Sequence, residues 1–181
     1  MFGLFAIRKI ADQRRSRANL ARLAENHRIL STTDRAYPVF IATHLAFFIL
    51  TPLEIVMMGR AFWPPLGLSM VALFVAASLL RAWSISLLNR NWSSRVAVPE
   101  DLVPVTEGPY RFVRHPNYLA MSLEFLAMGL MCSAYLSTVF VGVLNAVAVH
   151  MRIQAEEAAL FQVPAYRAAM QLRARIIPGI Y

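Results

Sequence analysis

Two short stretches hold residue types that could do chemistry together. In GPYRFVRHPNYLA (108–120), Arg111, Arg114 and His115 precede Pro116, Asn117 and Tyr118; in RIQAEE (152–157), Arg152 precedes Glu156 and Glu157. Arg114 and the backbone N–H groups at the start of the following apolar run can take a carboxylate. Glu156 or Glu157 can take an ammonium, or lie near a sulfonium. The set therefore suits a zwitterionic ligand. A salt-bridge cluster is the bland alternative for the same charges. No GxGxxG or GxxxxGK[ST] run supports a dinucleotide or P-loop site. No HxxxH or ExxH spacing supports a metal, and the single Cys132 excludes a cysteine-built zinc site.

A second group of residues suits work on an acceptor. Arg152 can stabilise a developing oxyanion, while His150, Glu124 and Glu157 rank equally as a general base. Glu124 sits about two turns into an apolar segment, where an ionisable residue defaults to a functional role. Its structural alternative is a partner for Arg81 or Asn145. Arg81, His44 and Glu54 read as snorkelling side chains or satisfied interhelical bonds, and Arg111 as a lipid-facing anchor.

The elements that must position these groups belong to a membrane. The chain is 58% hydrophobic and 15% charged, against about 25% charged in soluble domains, so an all-α integral membrane protein is expected. Four apolar spans are legible: Tyr37–Met58, Pro64–Leu88, Tyr118–Ala134 and Tyr135–Met151. The last two form an antiparallel hairpin and are short for a core of about 30 Å. Residues 1–36 read as a basic amphipathic helix on the membrane surface, ahead of a transmembrane domain at 37–181.

Charge sets the orientation. Eight Arg or Lys precede Tyr37, five lie from Arg81 to Arg114 and four from Arg152 onward, leaving only Arg60 on the other side. Both ends are then cytoplasmic, and the site collects at the cytoplasmic face. The net charge of +8 suits anionic lipid headgroups; no nucleic-acid-binding pattern accompanies it.

GPYRFVRHPNY, followed some forty residues later by RIQAEE, resembles the isoprenylcysteine carboxyl methyltransferase superfamily, whose signature is RHPxY and then a Glu-Glu pair. The likeness covers roughly Asn89 to Tyr181, including the closing RIIPGIY. It implies S-adenosylmethionine as cofactor, with Leu102, Val103, Pro104, Val105, Tyr110, His115, Pro116, Asn117, Tyr118 and Glu156 as its contacts, beside Arg114. Arg152 matches a family arginine placed at the acceptor. LAMSLEFLAMGL and LLNAVAVHMRIQAEE look more similar to the bacterial branch that O-methylates alkylpyrones and alkylresorcinols. The expected activity is methyl transfer to an oxygen of a lipophilic acceptor in a bacterial inner membrane. A phospholipid or small-amine N-methyltransferase is the alternative, which Arg152 near the acceptor disfavours. A small transporter or a structural adaptor would not need both motifs.

Overall fold

The computed structural model describes residues 2–30 and 36–179. Outside that description lie residues 31–35 of the basic segment, the last two residues of RIIPGIY, and the side chains of Phe2 and residues 4–6, including Leu4. Eight elements follow in order: α1 (Phe2–Asn26), β1 (Ile29–Leu30), α2 (Ala36–Met58), α3 (Pro64–Leu88), β2 (Val98–Pro99), α4 (Pro116–Met131), α5 (Tyr135–Leu160) and α6 (Pro164–Met170). The protein is mostly helical.

Three helices, α2, α3 and α5, are long and apolar enough to cross a membrane. Only 22% of the most apolar window of α2 and of α3 is buried within the protein, so most of that apolar surface faces outward. This is the pattern of a lipid-exposed helix. Pro52 lies inside α2 without ending it.

The segment expected as a further span, α4, is not among these three in the described residues. α4 has 16 residues, a rise of about 24 Å, which falls short of the core thickness. α5 instead runs past Met151 to Leu160, carrying the Glu-Glu pair within the helix. Between them, Ser133 takes a left-handed conformation (φ 55°). Ala134 N–H reaches Gly129 O, and Ser133 N–H reaches Leu130 O, the paired closure of a Schellman turn.

Gly129 is where the hairpin is tightest. A Cβ there would overlap Thr138 Oγ1 on α5. Gly129→Ala should lower the thermal midpoint in detergent, in line with the about 1–3 kcal/mol that overpacking costs. Thr138→Ala in the same chain should recover most of the loss; a midpoint unchanged by Gly129→Ala would show that the two helices part freely. The start of α5 is also held from α2. The buried carboxylate of Glu54 accepts from Leu136 N at 3.2 Å and Ser137 N at 2.6 Å, two N–H groups that the first helical turn cannot satisfy.

The basic N-terminal segment is helical, but its contacts do not describe a helix lying apart from the bundle. Arg8 Nη1 donates to Ser78, Arg81 pairs with Asp12 at 2.5 Å, and Asn19 Nδ2 donates to Asn89 O. The sequence separations are 70, 69 and 70. A constant offset means that α1 and α3 run in the same direction. β1 then pairs antiparallel with β2, with Ile29 opposite Pro99.

Two cores result. One, around Phe47, Tyr118, Met121, Phe125, Met128 and Val149, lies among α2, α4 and α5. The other, around Val96, Val98, Tyr110, Leu160, Tyr166 and Met170, joins the 92–110 connection to α6.

Candidate functional site

α4 begins where RHPNY requires it to. Pro116 occupies the first turn, where its missing N–H costs nothing. His115 is the residue before it, and its carbonyl accepts from Tyr118 N and Leu119 N. The tail straps this corner down: Arg114 N and His115 N donate to Ala174 O and Arg175 O, each at 2.9 Å. The Arg173 side chain donates to Tyr110 O.

Beneath the corner lies Glu157, buried to 6% exposure. Its Oε1 is 3.0 Å from Arg114 Nε and 3.2 Å from His115 Nε2, and its Oε2 is 3.0 Å from Arg175 Nε. The neighbouring Glu156 points elsewhere. Its Oε2 accepts from Tyr118 Oη at 2.7 Å, and Tyr118 Oη also takes a bond from Arg152 Nε at 3.2 Å. Arg152, 3% exposed, uses Nη2 to hold Ser94 O at 2.7 Å and lies over the Phe40 ring. Burial first, and then the Glu156 carboxylate, push the phenols of Tyr110 and Tyr166 above the usual tyrosine range. Both stay neutral hydrogen-bonding groups.

One cavity gathers most of the positions expected to hold a cofactor. Leu102, Val103, Pro104, Val105, Tyr110, Arg114, His115, Asn117, Tyr118 and Glu156 all line it; Pro116, buried in the α4 first turn, does not. The sequence reading missed its opposite wall, Asn91–Ser93 and Arg95–Pro99. The only sequence signal there is a polar, tryptophan-bearing run, NRNWSSR, in an otherwise apolar chain. Asn117 Oδ1 is buried with no hydrogen-bond partner among the described residues, an acceptor awaiting a donor.

A second cavity, of about 460 Å³, meets the first at Trp92, Ser93, Asn117 and Tyr118. Phe40, Ile41, Leu45 and Phe48 of α2 form its apolar wall; α1 adds Lys9, Asp12, Gln13 and Arg17, and Arg81 and Arg152 complete it. Neither the α1 nor the α2 residues, His44 apart, were singled out from sequence.

None of the three candidate bases is among the residues that line this second cavity. Glu124 is 0% exposed, and its Oε1 is 2.5 Å from Arg8 Nη2 and 3.0 Å from Ser78 Oγ. Its expected partners are engaged otherwise: Arg81 with Asp12, and Asn145 with Ser122. Glu157 serves the Arg114 corner. His150 is exposed, is bonded to Gln154, and lines a different cavity between α4, α5 and the tail. No cluster of three metal-ligating residues occurs among the described residues.

Two comparisons with known proteins bear on this arrangement. The family model described as isoprenylcysteine carboxyl methyltransferase (ICMT) matches residues 70–162. The match contains the α4 corner and the Glu-Glu pair. The uncharacterized protein YpbQ of Bacillus subtilis (strain 168) is 31% identical over 127 residues, covering 68% of this chain and 73% of that protein.

Proposed function

The chain belongs to the isoprenylcysteine carboxyl methyltransferase family of membrane methyltransferases, and from that premise we propose that it moves a methyl group from S-adenosylmethionine to an oxygen of a lipophilic acceptor. The observation that carries this reading is the pair of joined cavities. One is lined by the RHPNY corner and Glu156; the other is apolar on one side and bears Arg152 where the two meet.

The donor set of the first cavity fits the cofactor. Arg114 and His115 would hold its carboxylate. Glu156 and the orphaned Asn117 Oδ1 would take its ammonium or amino protons. When bound, the cofactor supplies an electrophilic methyl on a sulfonium. The protein's task is to hold an acceptor oxygen in line with that methyl, which is worth several kcal/mol. Arg152, fixed by Tyr118 and Ser94, offers its guanidinium to the acceptor oxygen. The apolar α2 wall excludes water and takes the tail.

The first cavity has a free volume of about 100 Å³, below the ~300 Å³ of ordinary ligand pockets. On this reading the first cavity widens to admit a nucleoside-sized cofactor. The arginine-rich face is cytoplasmic by its charge, and the cofactor enters there. Alkylpyrones, alkylresorcinols and prenylcysteine carboxylates share the required chemistry, an acidic oxygen on a long apolar tail. An amine acceptor suits the second cavity less well, because among the described residues Lys9, Arg17, Arg81 and Arg152 line it with one carboxylate, Asp12.

S-adenosylhomocysteine should bind the purified protein in detergent, with a dissociation constant in the micromolar range by calorimetry. Absence of heat at millimolar ligand, with the protein still folded, would end the methyltransferase reading.

A further inference from the structure

We propose that the groove between α4, α5 and the tail binds an anionic phospholipid, with the phosphate at Arg175 and one acyl chain laid along α5. This site goes beyond the methyl-transfer reading and does not depend on it. Among the described residues the groove shares no lining residue with either of the joined cavities. The Phe125 ring stands 4.8 Å from His44, which lines the second cavity, and 4.9 Å from Phe47, which lines the groove.

The shape fits an acyl chain. The groove has a volume of about 490 Å³, inside the range of about 300–1,000 Å³ for ligand pockets. α5 lines it in helical steps of three and four residues from Thr138 to Ile153, about 22 Å of helix. One leaflet's half of the hydrocarbon core is about 15 Å. Gly142 and Ala146 are exposed on that face, and a Cβ at Gly142 would meet nothing within 4 Å. The floor is therefore open, bordered by Leu126 of α4 and Ile176 of the tail.

Two polar features select the lipid. The first is Arg175, at the α5 C-terminal end of the groove. Its Nε holds Glu157, one turn beyond Ile153, while Nη1 and Nη2 make no bond among the described residues. Arg114 shares that carboxylate, so two guanidinium groups face one anion. No carboxylate lines the groove among the described residues. A phosphate would complete the pairing in the two-pronged geometry a guanidinium favours. With this face cytoplasmic by its charge, the anionic lipids of that leaflet supply it.

The second feature is Asn145, which lines the groove and is 4% exposed. Its Nδ2 donates to Ser122 Oγ at 2.8 Å, and its Oδ1 is buried with no hydrogen-bond partner among the described residues. Within a bilayer no water is at hand to satisfy that atom. Ser122 Oγ can donate as well as accept, so the amide can turn over and free Nδ2 instead. Asn145 lies five residues from His150, about 7.5 Å deeper along α5, where an ester carbonyl hangs below its phosphate. That carbonyl would accept from the freed Nδ2.

Native mass spectrometry of the delipidated protein in neutral detergent tests the site. Palmitoyl-oleoyl phosphatidylglycerol should bind as a single copy, about tenfold tighter than phosphatidylcholine with the same chains. Arg175→Ala should remove that preference, and Arg175→Lys should keep part of it. Gly142→Leu and Ala146→Leu, one turn apart in the floor, should each weaken both lipids by about tenfold. Glycerol phosphate at millimolar concentration should not compete, because it has no chain. An unchanged thermal midpoint in lipid-free detergent shows that a variant is folded. Equal affinity for the two lipids would mean annular lipid only and overturns the proposal. So does a preference that survives Arg175→Ala, binding that survives both leucine variants, or competition by glycerol phosphate. A dimer that Gly142→Leu disperses would give the groove to a second copy of the chain and overturns it too. Methyl transfer stands or falls separately, on S-adenosylhomocysteine binding.

Discussion

Glu157→Gln is expected to be the most damaging single substitution in the chain. The carboxylate is buried and neutralises the Arg114 guanidinium directly, with His115 on the same oxygen and Arg175 on the other. Arg114 is itself buried. Removing one partner of a buried pair leaves a charge without compensation, at about 3–5 kcal/mol. The cost falls on the corner that begins α4 and on the cavity that it lines. The thermal midpoint in detergent should drop, and S-adenosylhomocysteine affinity should fall by about tenfold or more, because Arg114 and His115 lose the group that aims them. Arg175→Ala is the contrasting variant. Arg175 is 43% exposed, so its bond to Glu157 is screened and worth under about 1 kcal/mol. If Glu157→Gln matched the parent in both midpoint and affinity, the backbone strap from Ala174 and Arg175 would be sufficient to hold the corner, and Glu157 would have no positioning role.

Arg152→Ala should produce the largest loss of turnover that leaves the protein folded. The side chain lines the second cavity and not the first, so under the proposed reading the loss belongs to the acceptor. A charge-assisted bond to an oxygen that commits to attack is worth about 1.5–3 kcal/mol, a loss of roughly ten- to a hundredfold in rate. Methyl label transferred from S-adenosylmethionine into membrane lipids measures the rate, and calorimetry with S-adenosylhomocysteine should show affinity within a fewfold of the parent. Arg152→Lys should recover little. The fork that reaches Tyr118 and Ser94 together is planar, and an ammonium does not reproduce it. Unchanged turnover in Arg152→Ala would reduce the residue to a tie between α5 and the Ser94 loop, and an amine acceptor would become the better reading.

What sequence alone determined is local. The apolar runs placed α2, α3 and the start of α5 closely, because a helix in lipid must be apolar over most of its surface; the end of α5 runs on past the apolar segment to Leu160. Pro116 marked the first turn of α4 because proline fits there and nowhere deeper in a helix. The family resemblance carried by RHPNY and RIQAEE implied one wall of the first cavity, and the same motifs lie within the family match. Tertiary structure decided everything that depends on how helices are turned against each other. Residues 156 and 157 are 100° apart on α5, but periodicity gives only relative angles. Packing against α4 and the tail is what sends Glu157 under the Arg114 corner and Glu156 to Tyr118. The same holds for the second cavity. Its α1 wall arises from pairs such as Asp12 with Arg81 and Arg8 with Glu124, 69 and 116 positions apart. A basic helix satisfies an amphipathic pattern equally well on a membrane surface or beside α3. The choice rests on buried acidic and basic side chains that stabilise each other only once the chain has brought them together.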